Sequence, residues 1–433
     1  MNISLLPPAS TARSTVRSTA RHESPAIGAG SPLTEASPFL FHGPEGSCIA
    51  QGQAQPITRG TKDTLAQRIA ETWATTSSQG MIGGALPFES GAQDCLWHSP
   101  QASTIWPDAL RAPHIATSGS ASLGPIPAAA VAITPAPSAS AYAQAVARAL
   151  TIMRAEDGQN EALEKLVLSR ALVIRTQAPI ARDLLLARLA ADPAATAFQV
   201  RLPDLAPPSA GPSAGQPQRV LIGATPELLV QKTGDVIRSH PLAGSARREA
   251  DPARDRAKGA ALNASEKDQR EHALVVEYIL DTLAPDCHDL TCPKGTTLTQ
   301  TRSMWHLGTR IEGRLKDRET PSVLLAAKLH PTPAVCGVPH TRAEALIREL
   351  EPDPRGFYAG AVGWCSASGD GAWYVAIRSA EICGTQARLF AGAGIVAGSN
   401  PMSEAAETGA KFGAMLAALG LPLDAGMAGV VQD

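Results

Sequence analysis

The sequence predicts a mixed α+β fold. Short apolar runs punctuated by Gly and Pro begin near Phe39 and read as strands. Between them, several stretches repeat apolar residues at helical spacing, and the strands gather around these helices in the C-terminal two-thirds. No fixed-period repeat runs through the chain.

Residues 1–37 are rich in Ser, Thr, Ala, Arg and Pro, with no acidic residue before Glu23. They read as a disordered low-complexity tail. Arg13, Arg17 and Arg21, four apart, would also suit an organelle transit peptide, but no secretory apolar core is present. Residues 38–433 read as one domain. The stretch 118–140, "SGSASLGPIPAAAVAITPAPSAS", is expected to be a seam. "SAYAQAVARALTIMRAEDGQ" follows as a helix capped by Ser140, and "LEKLVLSRALVI", alternating and β-branched, as a strand. "AFQVRL" and "RVLIGA" are strands separated by a Pro/Gly/Ser insertion at 203–217, read as a surface loop. "ELLVQKTGDVIRSH" is a hairpin turning at Gly234–Asp235. "SEKDQREHALVVEYILDTLAP" is an amphipathic helix stopped by Pro285, and "PSVLLAAKLHP" and "TRAEALIREL" are further helices. "YAGAVGWCSASGDGAWYVAIRSAEI" is a hairpin around Gly369–Gly371, followed by the strand "ARLFAGAGIVAG" and a last helix from Asn400.

The chain has 433 residues, 44% hydrophobic and 18% charged, with net charge −2. That balance leaves no electrostatic footprint for nucleic acid, and no apolar run is long enough to span a bilayer. The expected partner is a small molecule, met in the cytoplasm. Seven cysteines without a CxxC spacing read as reduced thiols, not as a disulfide framework or zinc site.

Three constellations bear chemistry. In "SEAAETGAKF", Glu404, Glu407 and Lys411 share one helical stripe. A surface Glu407–Lys411 pair would contribute only about 0.3–0.5 kcal/mol. The small-residue run "AGAGIVAGSNP" before it, with Asn400 as cap and Pro401 at the first helical position, instead allows close backbone approach and favours an anionic ligand. The residues alone leave both readings open. In "KDQREH", Glu271 and His272 lie near the apolar side of their helix. A carboxylate there needs a cation or a metal; His272 alone reads as a core histidine. Two glutamates from separate helices, with water, suit Mg²⁺. Lys165 shares a strand face with Val167 and Ser169. It is either an edge-strand solubility lysine or a desolvated one able to act as general base. Glu227, fixed by the Gly–x–x–Pro turn of "GATPELLV", is a candidate general acid. Arg378, in "YVAIRSA", is a cation within an apolar strand, and a bidentate carboxylate clamp is its natural use.

The segments "KLVLSR", "GATPELLV", "HPLAGSARR", "EKDQREHALVVEYI", "MWHLGTRIEGRL", "LHPTPAVCGVP", "GFYAGAVGW", "AIRSA" and "AGAGIVAGSNPMSEAAET" resemble, in this order, the motifs of the chorismate-utilising enzymes, over residues 140–418. Through "LHPTPAV", "IRELEPDPRGFYAGAVGW" and "AGAGIVAGS" the chain is most similar to the isochorismate synthases of siderophore type. The resemblance implies one catalytic domain, an α/β sandwich of two large antiparallel sheets packed together with helices outside. It also implies a Mg²⁺-dependent site between the sheets, where water adds at C2 of chorismate as the C4 hydroxyl leaves. In that site Lys165 would be the base and Glu227 the acid. Glu271 and Glu407 would bind metal, with Glu404 contributing through water. Arg378 and Tyr358 would hold the pyruvyl carboxylate, and Lys411 would support the ring carboxylate and metal. Backbone at Gly244–Ser245 and Gly392–Gly394 would line the substrate, with His330 close to it. A monomer feeding an isochorismatase or a pyruvate lyase is the implied setting.

Two departures stand out. Cys336 occupies "AVCG" where a smaller residue such as glycine is commoner, and Gly409 interrupts the metal-binding helix at a cost of up to about 1 kcal/mol relative to Ala. Among alternatives, ammonia-using relatives such as anthranilate synthase lack the base lysine. A salicylate synthase shares Lys165 and Glu227, goes on to eliminate pyruvate, and usually differs after "LHP". A silent binding homologue is expected to have lost one of the reacting residues, and none is lost here.

Overall fold

The structure is a computed structural model that describes residues 33–76, 79–105, 131–204 and 217–427. The β-branched, apolar strand Lys165–Thr176 is buried along most of its length. It pairs on one side with Gln386–Ile395 and on the other with Val131–Ala136 and Gly337–Val338. Lys165 therefore lies inside a ten-stranded antiparallel sheet, not on its edge. A nine-stranded antiparallel sheet has Leu228–Thr233 and Gly371–Val375 as neighbours near its middle. A smaller sheet joins Leu242–Arg247, Met304–Thr309 and Thr296–Gln300. The fold is mixed α+β, built on two large antiparallel sheets.

Phe39, Phe41, Phe198 and Leu221 of the larger sheet pack with Ala85, Val362 and Tyr374 of the nine-stranded one. Helices Arg182–Leu189 and Pro401–Leu419 lay Leu185, Leu186, Phe412 and Leu416 on Leu172, Ile174 and Ile222 of the larger sheet. Helices Ala139–Glu156, Glu266–Leu283, Ser322–Leu329 and His340–Leu350 join the largest core cluster. Each such buried Leu, Ile or Phe contributes about 1.5–3 kcal/mol. Among the described residues no helix is long and apolar enough to cross a membrane. The seven cysteines are unpaired.

The sheets exchange two strands side by side. Arg219–Thr225 belongs to the ten-stranded sheet and continues through Pro226–Glu227 into Leu228–Thr233 of the nine-stranded one. Gly371–Val375 makes the reverse passage through Ala376–Arg378 into Ser379–Cys383, and the two chains pair on both sides of the crossing. This breaks the expected run "YVAIRSAEI" into two strands in different sheets. Arg378 sits at the break with φ 52°, off the regular ladder, and not within a strand as expected.

Other local expectations shift too. The helix after the seam starts at Ala139, and Ser138, not Ser140, caps it by accepting the Ala141 amide. Within the expected seam, Val131–Ala136 form a strand; residues 118–130 lie outside the described residues. So do 205–216 of the expected insertion loop and 1–32 of the tail. Leu33–Ala36 form a helical turn, and the buried Ser37 Oγ donates to the Ala50 carbonyl, so packing begins ahead of residue 38.

At the last helix, the Asn400 side chain accepts the amides of Met402 and Ser403, with Pro401 at the first helical position. Asn400→Ala is expected to lower unfolding free energy by about 1 kcal/mol. Denaturant titration measures it, and an unchanged midpoint would remove the cap from the account of this helix.

Candidate active site

The double crossing buries one acid and one base-type cation beside each other. Glu227 follows Pro226 at the first crossing and is 3% exposed; Arg378 stands at the second. Both line one cavity, together with Tyr358, Gly244, Glu407 and Lys411. The Arg378 guanidinium donates to the Lys411 carbonyl at 3.3 Å, which ties the crossing to the last helix. Tyr358 is fixed by parallel stacking on Phe390, with centroids 4.8 Å apart.

Two helices bring in the carboxylates. Ser265 caps Glu266–Leu283 by accepting the Asp268 amide, and the first turns of that helix carry Glu271 to the cavity wall. Glu271 Oε1 lies 3.0 Å from Lys165 Nζ. Lys165 is fully buried, stands behind Glu271 and makes this ion-pair contact without hydrogen-bond geometry. On the last helix Glu407 meets Lys411 at 2.6 Å and accepts from Ser245 Oγ at 3.0 Å. Lys411 also donates to the Gly392 carbonyl at 2.9 Å. Glu404, one turn earlier, is buried off the cavity wall and pairs with Lys267 at 2.9 Å.

Glycine is required at two points of the wall. A Cβ on Gly394 would fall 2.2 Å from Glu271 Oε1, so only a bare backbone leaves room for that carboxylate. Gly244 has φ +74° where the register slips between Ala243 and Ser245, a bulge that turns the backbone toward Asp268.

Of the residues named from sequence, Glu227, Gly244, Ser245, Glu271, Tyr358, Arg378, Gly392, Gly394, Glu407 and Lys411 line this cavity. His330 does not: it lines a separate cavity with Leu65 and Phe88. The histidine in the site is His306, which sequence reasoning passed over. It sits opposite Ser245 in the small sheet, is 6% exposed, and has no partner at Nε2. The signal was a lone polar side chain on the buried face of "MWHLGT". His272, by contrast, is a core histidine hydrogen-bonded to Thr309 Oγ1 at 2.7 Å.

The charges of the site are unequal in their surroundings. Burial raises the Glu227 carboxyl to about 7, against the pull of the Leu242 backbone and of Lys165, Lys411 and Arg378. Burial also acts on Glu271, but the Lys165 ammonium outweighs it and holds that carboxyl below its usual range. Glu404 is raised by burial and then by Glu407. Asp268 is raised by burial, with Glu271 and Glu407 adding to it. His306 is pushed well below its usual range by burial and by the charges of Arg378 and Lys411, so it is neutral. The arrangement offers an acid that titrates near neutral pH, a buried lysine paired with a carboxylate, two cations for carboxylates, and a group of neighbouring carboxyls.

Residues 114–420 match the family described as chorismate binding enzymes. The chain belongs to that family. This chorismate-binding enzyme is 37% identical over 395 residues to the isochorismate synthase DhbC of Bacillus subtilis, covering 88% of this chain and 94% of that one. It is 36% identical over 394 residues to the isochorismate synthase EntC of Escherichia coli, covering 88% and 95%. The solved DhbC structure from Bacillus anthracis has a TM-score of 0.77 to it at 33% identity, over 90% of this chain and 99% of that one.

In this chorismate-binding enzyme, Gly394→Ala drives a methyl into the Glu271 carboxylate. Displacement of that order is expected to lower kcat/KM about 10²-fold while circular dichroism stays unchanged. Undiminished turnover would show that the position of Glu271 does not matter.

Proposed function

We propose that the chain is an isochorismate synthase that converts chorismate to isochorismate. The observation that carries this reading is the place of Glu227: a buried carboxyl that lines one cavity with Arg378 and Lys411 and, raised to about 7, keeps a substantial protonated fraction at neutral pH where a dianionic substrate would bind. The named activity of DhbC and EntC supports it.

Arg378 and Tyr358 take the pyruvyl carboxylate, and Lys411 the ring carboxylate. The backbone at Gly244–Ser245 and Gly392–Gly394 lies along the ring. Lys165 reacts as the free amine, its Glu271-paired ammonium having first given up a proton, and accepts a proton from water past Glu271 as the water oxygen bonds to C2. The ring double bonds shift, the C4–O bond breaks, and Glu227 gives its proton to the departing hydroxyl. One water enters and one leaves, so the product is an isomer. Glu271 stabilises the ammonium that proton abstraction makes on Lys165.

Mg²⁺ is part of the proposal. Among the described residues no three His, Cys, Asp or Glu side chains are grouped closely enough to cage a metal. Yet Glu271 and Glu407 line the same cavity, and their charges add to the raising of nearby carboxyls by burial: Glu407 acts on Glu404, and both act on Asp268. Hard oxygens of this kind suit Mg²⁺; Glu271 and Glu407 would hold the ion, and Glu404, paired with Lys267 behind the wall, would contribute only through water. When bound, the ion would supply positive charge for a substrate carboxylate.

Purified protein incubated with chorismate is expected to give isochorismate in the presence of Mg²⁺ and nothing after EDTA, as resolved by chromatography. Salicylate with pyruvate would assign a salicylate synthase instead, and no turnover would assign a binding homologue. Lys165→Ala is expected to stop water addition while Mg²⁺-dependent chorismate binding persists; normal turnover in that variant would remove the base. Because Glu227 acts only when protonated, kcat/KM should fall as pH rises through about 7. Glu227→Gln should lose that limb and about 10²–10⁴-fold in rate. A profile flat across neutral pH in the wild type would contradict its role.

A further inference from the structure

His330 belongs to a second cavity, of about 250 Å³, that shares a wall segment with the candidate active site. His330 and Pro331 line the second cavity, whereas Ala334 and Val335 line the first. Its walls are largely apolar, with Leu65, Leu86, Phe88 and Ala327. Its volume lies near the low end of the roughly 300–1,000 Å³ of pockets for drug-sized ligands, a size that suits a single ring.

Besides Lys62, His330 and two carboxylates, the wall carries the polar side chains of Ser90, Tyr278 and His340. His330 is 6% exposed, and neither ring nitrogen has a hydrogen-bond partner; the Pro87 carbonyl acts on the ring without closing one. Burial, with the charges of Lys62 and His340, lowers it to about 3, so the imidazole is neutral, and its ring nitrogens have no polar neighbour nearer than the Pro87 carbonyl. The two carboxylates on the wall are already engaged: Glu89 accepts the Arg355 and Gly356 amides, and Asp94 is paired with Arg68. Lys62 stands exposed on the rim. The complement of these walls is a flat apolar body that hydrogen-bonds to His330 and turns negative charge toward Lys62.

We propose that this cavity binds a single-ring aromatic carboxylate, as a ligand distinct from the substrate. Its contacts bear on the active site through Arg355. Phe88 lies edge-on to His330, with centroids 6.4 Å apart, and under the Arg355 guanidinium at 4.3 Å. That guanidinium donates to the carbonyls of Val335 and Val167. The site rests on its own residues and stands whether or not the proposed reaction does.

Benzoate is the probe, titrated calorimetrically into the full-length protein. Wild type and Arg378→Ala are expected to bind it alike, because Arg378 lies in the other cavity. Filling the space with Ala327→Phe should weaken binding about tenfold, as should replacing benzoate by the uncharged benzyl alcohol. Lys62→Met should weaken it several-fold, and this exposed position decides if Ala327→Phe fails to fold by circular dichroism. No saturable binding to wild type at millimolar benzoate would overturn the proposal. So would binding that Arg378→Ala abolishes, binding that Lys62→Met leaves unchanged, or benzyl alcohol binding as tightly as benzoate.

Discussion

Thr225 Oγ1 donates to the Val375 carbonyl at 2.7 Å, and the Val375 amide donates to the Glu227 carbonyl at 3.1 Å. These bonds tie the two chain segments together as both pass between the sheets. A backbone that leaves a sheet would otherwise strand its polar groups in the core; here the two crossing segments bond to each other at these points, and Ala376 is paired with Ala359 and Gly360. The consequence is positional. Glu227 and Arg378 stand at the crossing points, where the ladders open, so their side chains reach a cavity instead of a packed sheet face. The left-handed backbone at Arg378, costly for a side chain other than glycine, is held by the Ala224 amide bonded to its carbonyl at 3.2 Å.

Around that crossing the charges are distributed by chain elements that approach from different directions. Lys165 comes from the interior strand, Lys267 from the helix that carries Glu271, and Lys411 from the last helix; each meets one glutamate. Removing one partner of the buried Lys165–Glu271 pair leaves an uncompensated charge, which costs more than the pair itself contributes. Glu227 alone among the cavity carboxyls lacks a lysine at contact distance, and burial raises it for that reason. The difference between Glu227 and Glu271 is thus one of partnership within a shared burial. It separates an acid from an anion inside a single site.

What the sequence discloses follows the range of the interactions involved. The Asn400–Pro401 cap and the hairpin at Gly234–Asp235 are local, and both are legible as written. Alternation along "EKLVLSR" finds the strand but not its neighbours, so an edge and an interior lysine look the same until Val338 and Ile395 are seen on either side. The break at Arg378 carries no Gly or Pro to announce it. It is imposed by pairing with 224–227, far away in the chain. Local sequence does not mark His306 as a site residue, because its cavity is assembled from Gly244, Arg378 and Lys411. His330 was misplaced because nearness to Ala334–Val335 in sequence does not fix which side of the segment a ring faces. Gly409 looked like a defect in the helix. It is where Met427 and Gly426 pack, and a Cβ there would meet the Met427 sulfur at 2.3 Å.

The central claim is that water adds to the substrate ring inside this cavity. Its most direct test is turnover of chorismate in ¹⁸O-labelled water, with the product examined by mass spectrometry and by NMR of the carbon bearing the new hydroxyl. The proposed chemistry predicts isochorismate with one labelled oxygen, located at C2, and unlabelled chorismate remaining early in the reaction. Isochorismate formed without label would mean that the hydroxyl migrates and no water is activated, and would contradict the roles given to Lys165 and Glu227.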